Sequence, residues 1–123
     1  MSILSEIITA LESSSIPIET GVFSGTPPSE YLVITPMVES YLVFADNLPQ
    51  LESSEARISL FSKGNYLARK NEITDLLIEA GFTITDRRYI GHEDDTKFHH
   101  YVIDVAHEFN TLGGIYYGNN RIR

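Results

Sequence analysis

The chain has 123 residues and a formal net charge of −8, from 9 Lys and Arg against 17 Asp and Glu. This length is typical of a single domain with its own core. The absence of cysteine excludes thiolate catalysis, disulfides and cysteine zinc sites. The acidic balance argues against sequence-specific nucleic-acid binding, because such proteins usually present a basic face to phosphate.

Membrane association and export are not indicated by the sequence. No apolar run approaches the ~20 residues of a membrane span. The N-terminus has no basic region and reaches Glu6 early, unlike a signal peptide. We therefore expect a soluble protein that is made and used in the cytosol.

A first helix is predicted from Ser2 to Ser13, with Ser2 as its N-cap. Its apolar positions recur at helical spacing and form one face, made of Ile3, Leu4, Ile7, Ile8 and Leu11. The next stretch, from Ile16 to Phe23, is β-like. Pro17 makes a central position in a sheet unfavourable for it.

Two β-rich runs follow, Tyr31 to Thr35 and Tyr41 to Ala45. The residues between them, Met37 to Ser40, fit either a hairpin turn or a bulge. Asp46 to Ser54 is polar and contains Pro49, so it is predicted to be a surface loop. Glu55 to Ser62 alternates in polarity and predicts a half-buried strand.

The central helix is predicted from Asn65, a plausible N-cap, to Ala80, with Gly81 as its stop. One apolar stripe faces the core, made of Tyr66, Ile73, Leu76, Leu77 and Ala80. Leu67 and Ile78 lie outside that stripe. Either the first helix covers them or a neighbouring subunit does.

The rest of the chain predicts a strand over Phe82 to Ile90, a loop over Gly91 to Lys97, and a central strand over Phe98 to Glu108. The sequence therefore predicts an α+β fold, with two helices on a mostly antiparallel sheet of four to five strands. We expect one domain over residues 1–109. Residues 110–123 are predicted to be an extension that becomes ordered against a partner.

Catalytic, cofactor and metal sites are not predicted. The sequence has no GxSxG, Walker A, GxGxxG or HExxH motif. His92, Asp94 and His99 could meet across the hairpin mouth, but surface histidines are the more economical interpretation of the cluster that also includes His100 and His107. Glu93 to Asp95 are predicted to lie in a solvated loop.

Several short stretches occur in an order and spacing that resemble one family. They are Tyr31-Leu32-Val33-Ile34, Ala45-Asp46-Asn47, the run ISLFSKGNY from Ile58 to Tyr66, the run LLIEAGF from Leu76 to Phe82, Tyr89, Glu93-Asp94-Asp95-Thr96 and Phe98-His99-His100. The family is the small tail-completion, or tail-terminator, proteins of long-tailed phages and of prophages in Gram-positive bacteria. Phe61 stands where that family commonly has Trp. The likeness spans about residues 2–109.

The resemblance implies a non-enzymatic virion protein at the head–tail junction, present in the host cytoplasm during assembly. It implies an oligomeric, hexameric ring that caps the tail tube, with further copies of itself, the tail tube protein and a head connector or stopper protein as partners. Candidate assembly contacts are the loops over Met37 to Ser54 and Gly91 to Lys97, and the individual residues Glu93, Asp94, Asp95, Asp46, Leu67 and Ile78. Two alternatives remain open: a head-side connector or stopper protein, and a ferredoxin-like module that binds a small ligand.

Overall fold

The computed structural model describes residues 2–20, 25–45 and 48–110. These residues form two α-helices on one face of a five-stranded sheet, which confirms the predicted α+β fold. In chain order the elements are α1 (Ile3–Leu11), a 3-10 turn (Glu12–Ser14), β1 (Ile18–Thr20), β2 (Glu30–Ala45), β3 (Leu48–Ser62), α2 (Tyr66–Glu79), β4 (Thr83–His92) and β5 (His99–Asn110).

The strand order across the sheet is β1-β2-β3-β5-β4. All neighbouring strands are antiparallel except β1 and β2, which are parallel. β3 and β4 therefore run in the same direction with β5 between them, and α2 is the crossover that joins them. Ferredoxin-like folds have the element order βαββαβ. The order found here is αβββαββ, which does not match that alternative.

The core lies between the helices and one sheet face. Its fully buried side chains alternate along the three central strands, at Leu32, Ile34, Ala56, Ile58, Leu60, Ile103 and Val105. The helices contribute Ile7 and Leu11 from α1 and Ile73 and Leu77 from α2. Burial of each such aliphatic side chain contributes about 1.5–3 kcal/mol. This contribution fixes both helices to the same face of the sheet.

The two predicted N-caps and the predicted stop of α2 are confirmed, whereas α1 ends at Leu11, two residues before the predicted Ser13. The Ser2 hydroxyl accepts a hydrogen bond from the Ser5 amide at 3.2 Å, and the Asn65 side chain accepts one from the Ala68 amide at 3.2 Å. Each bond satisfies one of the free amides in a first helical turn. Gly81 follows α2 with a φ of +95°, a conformation that favours glycine.

The predicted surface loop from Asp46 to Ser54 is wrong, because the segment from Leu48 onward belongs to β3. Backbone pairing with β2 satisfies its amides and carbonyls whatever the polarity of its side chains. Among the described residues, β5 pairs with β3 from Leu51 onward, so Pro49 lies where β3 extends beyond that pairing and a proline is tolerated. Asp46 itself lies outside the described residues.

The question of a turn or a bulge at Met37 to Ser40 resolves as a bulge. β2 is one continuous strand, and its register against β3 shifts between Pro36 and Glu39. At the other end of the sheet, β5 is flanked by β3 and β4, as predicted for a central strand. Asn110, the first residue of the predicted extension, pairs with Leu51 as the last residue of β5, and residues 111–123 lie outside the description.

Candidate interaction surfaces

The turn between β4 and β5 carries the predicted acidic cluster. The Glu93 amide donates a hydrogen bond to the Phe98 carbonyl at 2.9 Å, and the Thr96 hydroxyl donates one to the Glu93 carboxylate at 2.7 Å. Glu93 therefore helps to close the turn. Asp94 and Asp95 are exposed, and the Asp94 side chain is 96% accessible. The tip thus presents two exposed carboxylates, Asp94 and Asp95.

Three side chains predicted to approach one another across the hairpin mouth do so. His92 Nδ1 lies 3.3 Å from the Asp94 carboxylate, and the His92 and His99 rings are 4.7 Å apart. His99 also pairs with the Tyr89 hydroxyl at 2.9 Å and packs on Tyr66 at 4.8 Å. Among the described residues, no group of three or more His, Asp or Glu side chains could hold a metal ion. The cluster joins the start of α2 to the hairpin.

A second aromatic cluster lies on the sheet face opposite the helices. Phe61 stacks on Tyr31 at 4.8 Å and on His100 at 4.2 Å, and Phe98 contacts the Tyr31 and Phe61 rings edge-on. Burial lowers the pKa of His100, although Glu93 partly opposes that effect. Burial, followed by the charge of Glu93, raises the pKa of Tyr31. Both rings are therefore neutral at pH 7.

A polar network holds the turn between β3 and α2, which belongs to the stretch Ile58 to Tyr66 of the family resemblance. The Ser62 hydroxyl accepts a hydrogen bond from the Gly64 amide at 3.1 Å and donates one to Glu30 at 3.3 Å. Arg69 from α2 donates to the same Glu30 carboxylate at 3.1 Å and to Glu72 at 2.8 Å. These contacts tie the start of β2 and the end of β3 to the first turns of α2. The motif therefore has a structural role in this chain.

The apolar surplus of α2 is at the surface. Leu67 and Ile78 are 53% and 55% exposed, so α1 does not cover them. At about 100° per residue they lie on the same flank as Thr74, which binds Arg87 of β4 at 3.2 Å, and far from Leu76. This flank faces the β4 edge of the sheet. Within the described chain, the open alternative of cover by the first helix is therefore wrong.

The candidate assembly residues do not form one site. Glu93, Asp94 and Asp95 are at the hairpin tip, whereas Leu67 and Ile78 lie along the α2 flank. Met37 and Val38, which lie within the predicted contact stretch Met37 to Ser54, form another exposed apolar pair at the β2 bulge and are 49% and 47% exposed. The sequence did not single out these two side chains, because the strand register at the bulge decides which side chains leave the core face.

In the part of the chain that the structure describes, no helix has the length and hydropathy needed to cross a bilayer. No family model matches the sequence, and the comparison with curated proteins finds no significant match.

Proposed function

We propose that this chain is a structural virion protein of a long-tailed phage, which caps the tail tube and joins the tail to the head as a ring of six copies. The observation that carries the proposal is the exposed apolar flank of α2. Leu67 and Ile78 remain more than half exposed although Ile73 and Leu77 already fill the core beneath the helix. A fold that is complete without these side chains leaves them free for contact with another subunit.

The two exposed side chains are separated along the helix rather than adjacent. Eleven residues at about 1.5 Å per residue place Leu67 and Ile78 roughly 16 Å apart on the same flank. Tyr89 of β4 is also 43% exposed, and its ring lies 5.2 Å from the Tyr66 ring at the start of α2. The helix flank and the neighbouring strand thus offer an extended apolar contact rather than one isolated side chain.

The phage assignment rests on the family resemblance, whose order and spacing span most of the chain. The folded chain gives those stretches consistent local roles. Ser62 and Gly64 form the turn before α2, Gly81 ends that helix, and Glu93 closes the β4–β5 turn. The resemblance therefore falls on positions that define the fold, and the assembly function is an inference from it.

A closed ring requires two different complementary patches on each subunit, since a head-to-tail contact repeats around the ring. The α2 flank supplies one such patch. The acidic tip at Asp94 and Asp95 is our candidate for contact with the tail tube or the head connector, because both side chains are exposed at the β4–β5 turn. We assign Asp46, between β2 and β3 in the sequence, to the same class of contact.

The proposal is tested with purified protein and reconstituted tail tubes. We expect the chain to assemble into six-membered rings, seen by electron microscopy, and to sediment with tubes built from the tail tube protein. Ile78→Gln should reduce both, whereas Ala68→Gln, at an exposed position about 80–100° around α2 from Ile78 and Leu67, should leave both unchanged. Binding to head particles without binding to tubes would instead support the head-side connector.

A further inference from the structure

The charges of this chain are segregated along the sequence. Residues 1–56 contain no Lys or Arg and eight acidic residues, namely Glu6, Glu12, Glu19, Glu30, Glu39, Asp46, Glu52 and Glu55. Residues 57–123 contain all nine basic residues and the other nine acidic ones. The whole net charge of −8 therefore resides in the part of the chain that forms α1, β1, β2 and the first half of β3.

One exposed apolar patch lies in that acidic part, at the β2 bulge. Met37 and Val38 line a shallow depression together with Ile3 of α1, Pro36, Glu39 and Glu55. Among the described residues, β1 pairs with β2 over Leu32 to Ile34, and the bulge follows these positions along β2. We call these six lining residues the acidic edge patch. It joins about half-exposed apolar side chains to two carboxylates.

The α2 flank has the opposite charge. Lys70 follows Leu67 by three residues and is its neighbour on the helix surface. The Arg87 guanidinium bonds Thr74, which precedes Ile78 by one helical turn, so this cation lies beside the same flank. We call Leu67, Ile78, Lys70 and Arg87 the basic edge patch. The acids Glu72 and Glu79 of α2 lie about 100° or more around the helix from Leu67 and Ile78. Asp75 precedes Ile78 by three residues and is its neighbour on the helix surface, so the flank carries two cations against one acid. The Lys70 ammonium lies 5.2 Å from the centre of the Tyr101 ring.

The two patches lie toward opposite sides of the sheet. β2 and β4 are separated by β3 and β5, which corresponds to three strand spacings or about 14 Å. The acidic patch joins Met37 and Val38 to two carboxylates. The basic patch joins Leu67 and Ile78 to two cations and one neighbouring acid, so the net charges of the two patches differ in sign. A contact between two acidic patches or between two basic patches would oppose like charges, whereas a contact between unlike patches would neutralise them.

We propose that the acidic edge patch of one copy binds the basic edge patch of the next, so that copies associate head to tail. Val38 and Met37 pack against Leu67 and Ile78, while Glu39 and Glu55 face Lys70 and Arg87. This pairing rests on the proposed ring and specifies its subunit contact. Because the patches are different and lie on opposite sides, the contact is heterologous and can be repeated around a closed ring.

The chain has no cysteine, so an engineered Cys is the only thiol that the cross-linker can modify. Val38→Cys and Ile78→Cys are made as separate proteins, mixed, and treated with a short bis-maleimide cross-linker, alone and on tail tubes. We expect dimers in the mixture and none from either protein alone. Ser13→Cys, exposed at the end of α1 outside both patches, replaces Val38→Cys as the matched control and should give no dimer with Ile78→Cys.

Charge exchange tests the electrostatic part of the contact. Glu39→Lys with Glu55→Lys should abolish the cross-link between positions 38 and 78. Adding Lys70→Glu with Arg87→Glu to the Ile78→Cys partner should restore it. Far-UV circular dichroism verifies that each variant is folded, and all four positions are at least partly exposed, so their replacement is compatible with folding.

The outcomes separate this pairing from the proposed function. Six-membered rings without cross-links between positions 38 and 78, or cross-links between identical positions, overturn the pairing and leave the ring proposal standing. A mixed cross-link that charge exchange abolishes and restores supports the pairing, even if the protein has no effect on tails. Absence of both rings and mixed cross-links overturns the pairing as well.

Discussion

Arg57 of β3 and Asp104 of β5 form a bidentate ion pair across the centre of the sheet. Arg57 Nε and Nη2 donate to the two carboxylate oxygens of Asp104 at 2.8 and 3.0 Å. The two residues are direct cross-strand partners on the face opposite the helices. Asp104 is only 8% exposed, so its carboxylate depends on Arg57 for most of the interactions that water would otherwise supply.

The ion pair should be worth more than an exposed one. Arg57→Leu is expected to reduce the free energy of unfolding by about 1–3 kcal/mol, because it leaves a buried carboxylate without its partner. Asp104→Leu should cost less, because the Arg57 side chain is about a third exposed and reaches water. Urea unfolding of both single variants and the double variant should give a coupling energy of roughly 1–2 kcal/mol.

The pair Asp86 and Arg88 on β4 is the matched control. Its two side chains are about half exposed, so the same cycle there should give a coupling near 0–1 kcal/mol. Equal coupling energies for the two pairs would show that burial of Asp104 does not matter.

His100 should make stability depend on pH. Burial lowers its pKa in the folded chain, whereas the unfolded chain retains the ordinary value of 6.5. The unfolded state therefore binds more protons in this range, and the contribution of His100 is lost as the pH falls from about 6.5 toward the lowered folded-state pKa. Below that lowered value the loss is complete. The free energy of unfolding should therefore rise with pH across this interval.

The matched variant is His100→Phe, which retains a ring against Phe61 and removes the titration. Urea unfolding at several pH values should show a shallower slope between pH 6.5 and the lower plateau than the parent. An unchanged slope would assign the pH dependence to other groups. The neighbouring His99 serves as the position for comparison, because its Nδ1 pairs with the Tyr89 hydroxyl, whereas the His100 ring stacks on Phe61.

Leu67 and Ile78 should matter for assembly and little for folding. Replacing both with Gln leaves the core unchanged, so the free energy of unfolding of the monomer is expected to shift by no more than about 0.5 kcal/mol. Self-association, measured by sedimentation, should fall because the apolar contact is lost. Leu77 lies in the core beside Ile78. Leu77→Ala should therefore lower the free energy of unfolding by about 2–5 kcal/mol. Loss of stability in the Gln variant without loss of association would contradict the account.

The acidic tip should be tested at Asp94 and Asp95 and not at Glu93. Glu93 closes the turn through Thr96, so its replacement would change both the charge of the tip and the stability of the turn. Asp94→Lys with Asp95→Lys reverses the charge at exposed positions and should impair ring formation or tail joining, scored by infectivity and by electron microscopy. Asp94→Asn with Asp95→Asn is the milder control. Normal tails and infectivity in the Lys variant would remove the tip from the assembly contacts.

Local signals in the sequence predicted much of this fold because the responsible interactions are local. Ser2 and Asn65 cap helices through amides three residues away, and Gly81 supplies a positive φ that few other residues tolerate. The helical spacing of the apolar residues in α1 indicated directly which face of this helix packs on the core. These features can be predicted without knowing which strands pair.

Pairing between distant segments was not predictable in the same way. The strand from Leu48 to Ser54 is polar, contains Pro49, and is held by backbone bonds to β2 that leave no periodic pattern. Asp104 and Arg57, 47 residues apart, meet only through the register of β3 and β5. The bulge that exposes Met37 and Val38 depends in the same way on the register of β2 against β3. Leu67 and Ile78 were identified on α2 from the sequence, but their exposure and the charges beside them required the fold.

We propose that this chain caps a phage tail tube and joins it to the head. The most direct test is electron microscopy of particles assembled without it, with tail length and head–tail joining scored for each particle. The account predicts overlong tails or separate heads and tails, both restored when the chain is supplied from a plasmid. Ordinary virions with tails of normal length would contradict it.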